Sequence, residues 1–179
     1  MEKTLRNLLK FNLALLVFLT ANAFGAATCP LEELKGTSAD TPECYFYSGT
    51  TAYRAKDFET AATYWKKVIG INSVPVELEH LKVDAYNNLG FLYFFGNGVQ
   101  PNKMAAIEYW TYAMKSGNDE AAYHLCHAYA DKKEPMYNPK KALGYCKEGL
   151  RRYSLLKNRN DQIEEVVVQL QKYVRKLEN

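Results

Sequence analysis

The cysteines and histidines of this chain are the residue types best suited to metal binding, redox chemistry or cross-linking. The sequence of 179 residues has four cysteines, Cys29, Cys44, Cys126 and Cys146. No two of them form a Cys-x2-Cys pair, so their spacing favours neither a zinc knuckle nor a thioredoxin-type redox site. An even number of cysteines in an exported chain predicts two structural disulfides, and four cysteines allow three connectivities.

Two of the histidines flank one of these cysteines. His124 and His127 stand three residues apart, so they would share one side of a helix and could share a metal ion. If Cys126 lies in a disulfide it cannot act as a ligand, and no nearby cluster of Asp, Glu or Cys completes a tetrahedral set. We therefore expect no metal site and no cofactor.

The sequence motifs of common enzyme classes are missing. No serine lies in a Gly-x-Ser-x-Gly or Ser-x2-Lys pattern, so nucleophilic serine chemistry has no local signature. Gly96-x-Gly98 does not follow a predicted strand, which argues against a phosphate-binding loop. These observations predict a protein that is not an enzyme.

Composition limits the number of domains and the class of partner. With 47% hydrophobic residues, a chain of this length can form one ordinary core. The formal charge is +3, and without residues 1–23 the chain would keep 20 basic and 19 acidic residues. Because such a chain is nearly neutral, we expect no nucleic-acid partner.

The N-terminal segment has the layout of a secretory signal peptide. Basic residues precede a short apolar run at residues 11–19, and small residues follow from Ala21 onward. The run is about half the length that a membrane-spanning helix needs. We expect a signal peptide at residues 1–23, although cleavage two or four residues later also fits, and an N-terminal arm at residues 24–40. The mature chain would be periplasmic or secreted, without an integral membrane segment.

An internal repeat organises most of the remaining chain. Segment 85–93 aligns with 121–129 at an offset of 36 residues, and the same offset carries 106–110 onto 142–146. A further copy lies upstream and is the first of the three in chain order. Each copy has two stretches with apolar residues at helical spacing, and helices this short must stack to bury their apolar faces. The sequence therefore predicts an all-α solenoid of about three helix-turn-helix pairs over residues 41–153.

The second copy carries the residues of a known repeat family. It resembles a Sel-one-like repeat of the tetratricopeptide-like superfamily through the pattern Ala85-x3-Leu89-Gly90-x2-Tyr93-x2-Gly96-x-Gly98, then Ala106-x2-Tyr109-Trp110-x2-Ala113. The third copy lacks the Gly-x-Gly turn, and the first is closer to a tetratricopeptide repeat. The resemblance implies a right-handed solenoid in an exported, disulfide-containing member of the family.

In the third copy, two cysteines replace a glycine and a tryptophan of the repeat. Gly90 and Trp110 should face each other across a helical hairpin. At the offset of 36 residues both positions change together, to Cys126 and Cys146. This coupled change predicts a disulfide between them, which leaves the two N-terminal cysteines, Cys29 and Cys44, to form the second.

Residues 154–179 form a different kind of segment. Asp161-Gln-Ile-Glu164 fits a capping box, and the apolar residues that follow lie on one helical stripe. We predict a C-terminal helix that caps the open end of the solenoid.

The resemblance assigns a concave binding face to the first helix of each pair. On this basis the binding residues would be Tyr53, Asn87, Phe91, Phe94, Phe95, Tyr123 and His127. The run Phe91-x2-Phe94-Phe95 would supply aromatic anchors for a peptide or a helix. The alternative is that these rings pack against the N-terminal arm or against the adjacent repeat.

These features together predict an exported, non-catalytic scaffold that binds another protein or a peptide, as an adaptor or assembly factor of the cell envelope. The alternative is cell-wall or β-lactam binding, or weak β-lactamase-like activity, which the resemblance to cysteine-rich exported family members implies. Those members place a cysteine pair across the junction between repeats, whereas this chain places one within a hairpin. A third interpretation is a purely structural subunit of an envelope machine.

Overall fold

The fold consists of helices throughout the part of the chain that the structure describes. The computed structural model describes Cys29, Leu31, Leu34 and residues 38–179, so the predicted signal peptide lies outside the described residues. The α-helices are α1 (Pro42–Arg54), α2 (Phe58–Gly70), α3 (Glu79–Phe95), α4 (Lys103–Lys115), α5 (Glu120–Ala130), α6 (Pro139–Ser154) and α7 (Asp161–Glu178). A short 3₁₀ helix at Val76–Leu78 leads into α3. Within these residues there is no strand, and the predicted all-α class is confirmed.

The helices stack as three hairpins. α1 packs with α2, α3 with α4, and α5 with α6, while α3 also packs on α2 and α5 on α4. The first helices of successive hairpins, α1, α3 and α5, contact each other and form one continuous face. This arrangement confirms the predicted α-solenoid.

The C-terminal helix stands where the first helix of a fourth repeat would stand. α7 packs on α6 and also contacts α5. Its buried side chains, Val167 and Leu170, join the apolar cluster around the third hairpin. None of the helices in the described ranges is both long enough and apolar enough to cross a membrane.

Side chains at the helix starts fix where the helices begin. Thr41, Asp57, Asn102 and Asn138 each accept a hydrogen bond from the backbone N–H three residues later. Asn160 does the same for α7, so its cap lies one residue before the predicted one at Asp161. The cause is the Asn160 backbone, which is extended and lets the amide oxygen reach the Ile163 N–H.

Two tryptophans fill the first two hairpins. Trp65 and Trp110 are 2% and 1% exposed. A Cβ atom on Gly49 would lie 2.6 Å from Trp65 Nε1, and one on Gly90 would lie 2.5 Å from Trp110 Nε1. Each indole N–H also donates to a backbone carbonyl of the first helix in its own hairpin. The glycines therefore allow the rings to lie directly against the helix backbone.

Both predicted disulfides are present. Cys126 and Cys146 occupy the glycine and tryptophan positions of the third hairpin, with Cα atoms 4.8 Å apart. Cys29 pairs with Cys44 and ties the N-terminal arm to the first turn of α1. All four cysteines of the sequence are therefore oxidised.

The third hairpin shares one closing hydrogen bond with the second, although its turn has a different sequence and no left-handed residue. The Asn102 N–H donates to Tyr93 O, and the Asn138 N–H donates to Tyr129 O, both at 2.9 Å. Both partners of the second bond lie 36 residues beyond those of the first. The loss of the Gly-x-Gly pattern therefore leaves the bond that closes the hairpin unchanged.

Candidate binding groove

A groove on the face formed by α1, α3 and α5 is the strongest candidate for a functional site. It has a volume of about 310 Å³. We define the groove by its lining residues, Thr50, Tyr53, Trp65, Asn87, Asn88, Phe91, Glu120 and His124. Since all three hairpins contribute side chains, the groove exists only when the repeats are stacked.

Glu120 supplies the carboxylate of the groove. Its Oε2 accepts a hydrogen bond from Asn87 Nδ2 at 3.0 Å, and its Oε1 lies 3.5 Å from His124 Nε2. Hydrogen bonding and charge from His124, then the Asn87 amide, hold the pKa of Glu120 below its ordinary value although desolvation opposes them. The side chain is 55% exposed. A carboxylate has about four acceptor positions, so part of its capacity remains open to a ligand.

Asn87 holds this carboxylate and has an unused acceptor of its own. The residue is 3% exposed, and its Nδ2 is committed to Glu120. Its Oδ1 is buried without a hydrogen-bond partner. Leaving such an atom unpaired costs roughly 1–3 kcal/mol, which only a hydrogen-bond donor can recover.

Aromatic rings form the apolar walls. The rings of Tyr53 and Phe91 meet edge to face with centroids 6.4 Å apart, and the Phe91 ring lies 6.1 Å from the His124 ring. His124 stacks on Trp110 at 4.8 Å, so the core fixes the imidazole beside Glu120. The groove thus combines an ionised carboxylate with rigid aromatic surfaces.

Phe94 does not belong to this surface, and its prediction as an exposed anchor is wrong. It is 3% exposed, and its ring packs 5.2 Å from Trp110 and 6.4 Å from His127. Phe91 and Phe95 are four residues apart and share a helix face, whereas the turn of the helix directs Phe94 into the core between α3, α4 and α5. Phe95 is 51% exposed and touches Phe91 at 4.8 Å, beside the groove.

The two predicted residues of α5 lie farther towards α7. Tyr123 packs against the apolar cluster around the third hairpin, which includes Val167 and Leu170 of α7. The His127 ring lies 6.0 Å from Tyr173. Burial lowers the pKa of His127. Tyr53, Asn87 and Phe91 are therefore the predicted residues that the structure brings together in the groove.

The two histidines lie in different surroundings. His124 faces Glu120 and Trp110, while His127 faces Phe94 and Tyr173. Within the described ranges no three His, Cys, Asp or Glu residues come close enough to hold a metal ion.

Asn88 and His124 line the groove but were not predicted as binding residues. They are 36 residues apart and therefore occupy the same position of successive repeats. The offset could have identified them as a pair on one face, since the repeat places equivalent residues in line along the solenoid.

The N-terminal arm borders a neighbouring cavity of about 520 Å³. Leu31 and Leu34 line it together with Phe46 and Tyr47 of α1, and it shares Thr50 and Asn88 with the groove. The described arm residues Leu31 and Leu34 thus lie at the α1 end of the face and are not among the residues that line the groove. The two cavities are therefore adjacent on this face.

No known protein family matches the sequence of the chain, and no curated protein matches it either. Membership of the Sel-one-like family stays a prediction from the repeat pattern.

Proposed function

We propose that this protein is an exported, non-catalytic scaffold of the Sel-one-like type that binds a peptide segment of another protein in the groove. The observation that carries this proposal is the groove itself, which three successive repeats build. It has aromatic walls, the Glu120 carboxylate that Asn87 orients, and the unpaired Asn87 amide oxygen. Such a combination is typical of ligand sites, in which a few fixed polar groups orient a ligand on an apolar surface.

The position of the neighbouring cavity favours an extended chain as the ligand. The groove and the cavity beside the N-terminal arm meet at Thr50 and Asn88, so a ligand can run along the face from α5 to α1. The Asn88 amide offers both a donor and an acceptor, which suits a peptide backbone. The rings of Tyr53 and Phe91 suit side chains between backbone contacts.

The chemistry of the lining residues favours binding over hydrolysis. The described residues that line the groove include no serine and no cysteine, and the Thr50 hydroxyl donates to the Phe46 carbonyl. All cysteines are held in disulfides. These facts support an adaptor in preference to β-lactamase-like chemistry, and an absence of nitrocefin turnover would agree with that preference.

Two disulfides fit an oxidising compartment, such as the periplasm or the cell exterior. This supports the exported location that the sequence of the N-terminal segment predicts.

The test is selection from a library of random linear peptides on the protein purified after export by an expression host. We expect enrichment of peptides whose affinity falls by more than about 1 kcal/mol in Phe91→Ala, the removal of an aromatic anchor. Met104→Ala is the control, because Met104 is exposed on α4, outside the groove. A lack of enriched peptides, or equal losses in the two variants, would contradict the proposal.

A further inference from the structure

We infer that the peptide presents a basic side chain, arginine or lysine, to Glu120, with its apolar stem lying along the Tyr53 and Phe91 rings. This inference rests on the proposed peptide-binding function and specifies its ligand. It follows from the charge of the groove, from the kind of hydrogen-bonding group left open there, and from the aromatic walls.

The charge around Glu120 favours a cation. Among the described residues that line the groove, Glu120 is the one carboxylate, none is lysine or arginine, and the His124 imidazole beside Glu120 is the one group that can carry a positive charge. Arg54 borders the neighbouring cavity at the α1 end instead. A basic side chain would therefore meet its opposite charge, whereas an acidic one would meet repulsion.

The open hydrogen-bonding positions at this point are acceptors. Glu120 keeps unused lone pairs on a half-exposed carboxylate, whereas the unpaired Asn87 Oδ1 is buried. The Asn87 Nδ2 and the Thr50 hydroxyl are already donating, to Glu120 and to a backbone carbonyl. Ammonium and guanidinium groups carry donors and no acceptors, so they match the groups left open.

The walls match the remainder of such a side chain. Lysine and arginine carry apolar stems that pack on aromatic rings while the charged head stays with polar groups. The rings of Tyr53 and Phe91 line the groove together with Glu120 and can also attract a cation through their faces.

The experiment compares the peptide enriched in the library selection with synthetic versions in which its basic residue is replaced by norleucine or by glutamate. We expect norleucine to weaken binding to the unaltered protein about tenfold, as loss of a charge-assisted pair does, and glutamate to weaken it further. In Glu120→Gln the difference between the basic and the norleucine peptide should vanish. The variant keeps an acceptor for Asn87, and its melting temperature serves as the check on folding.

Glu108→Gln is the matched control, because it removes the same charge from an exposed position of α4. It should leave the preference for the basic peptide unchanged. Enriched peptides that bind but share no basic residue would overturn the inference and leave the proposed function standing. The same holds if Glu120→Gln keeps the full preference. If no peptide binds at all, the proposed function fails, and the inference fails with it. The norleucine comparison on the unaltered protein decides the matter if the variant does not fold.

Discussion

Glu120 has two roles, one at the start of α5 and one in the groove. It is the first residue of α5, where a negative charge is favourable because the helix dipole is positive there. An acidic residue at a helix start is therefore expected for reasons of stability alone. Its second role depends on Asn87, which lies 33 residues earlier in the chain and reaches it only after two repeats have stacked. No local pattern could have shown that contact.

The three phenylalanines Phe91, Phe94 and Phe95 also show that sequence spacing alone does not decide which side chains are exposed. Helical spacing places Phe91 and Phe95 on one face but does not decide which face is exposed. Phe94→Ala should lower the free energy of unfolding by about 3–5 kcal/mol, because its ring fills core space against Trp110. Phe95→Ala should change it far less, since the side chain is half exposed. Chemical denaturation measures both, and equal losses would refute the assignment of Phe94 to the core.

Gly90 is required by the tryptophan it faces. In Gly90→Ala the new Cβ would lie 2.5 Å from Trp110 Nε1, so the ring or the helix must shift, at a cost of about 1–3 kcal/mol. Gly144→Ala is the control, because nothing lies within 4 Å of its added Cβ and alanine favours a helix by about 0.5–1 kcal/mol. Thermal denaturation should move the two variants in opposite directions, and a neutral Gly90→Ala would argue against close packing in the second hairpin.

The third hairpin depends on a covalent bond where the other two depend on a ring. The Cys126–Cys146 disulfide closes a loop with a sequence separation of 20, for which chain entropy gives about 3 kcal/mol of stabilisation. Replacing both cysteines by alanine should lower the free energy of unfolding by about this amount and leave the helical content of the folded state intact. Urea denaturation followed by circular dichroism measures it. A loss below about 1 kcal/mol would mean that packing alone holds the hairpin.

The helices of the hairpins were predictable because the repeat recurs at a regular offset. The fixed offset and the helical spacing predicted three hairpins and the Cys126–Cys146 disulfide, because these features follow from which residues must face each other. The Cys29–Cys44 disulfide followed by elimination, and the C-terminal helix followed from its own apolar stripe. The start of α7 was predicted one residue late, since Asn160 and Asp161 are both good cap residues and only backbone geometry distinguishes them. The sequence of the third turn did not predict its closing hydrogen bond, because this bond joins backbone groups and is independent of the lost glycines.

The whole molecule creates the groove, and no single hairpin contains it. Its walls come from α1, α3 and α5, and the N-terminal arm, held by Cys29 and Cys44, borders the adjacent cavity at the α1 end. The resemblance predicted which face would bind, and Tyr53, Asn87 and Phe91 follow from that prediction. The depth of the groove and its acidic centre depend on side-chain contacts between repeats, which the sequence does not encode locally.

Amide chemical shifts test most directly whether a ligand binds on the face formed by α1, α3 and α5. The ¹⁵N-labelled protein is titrated with the peptide enriched in the library selection, and the shifts are mapped on the fold. We predict the largest changes at Thr50, Asn88, Phe91 and His124, with little change along α4. Largest changes at outer residues such as Met104 and Glu108 would contradict the account.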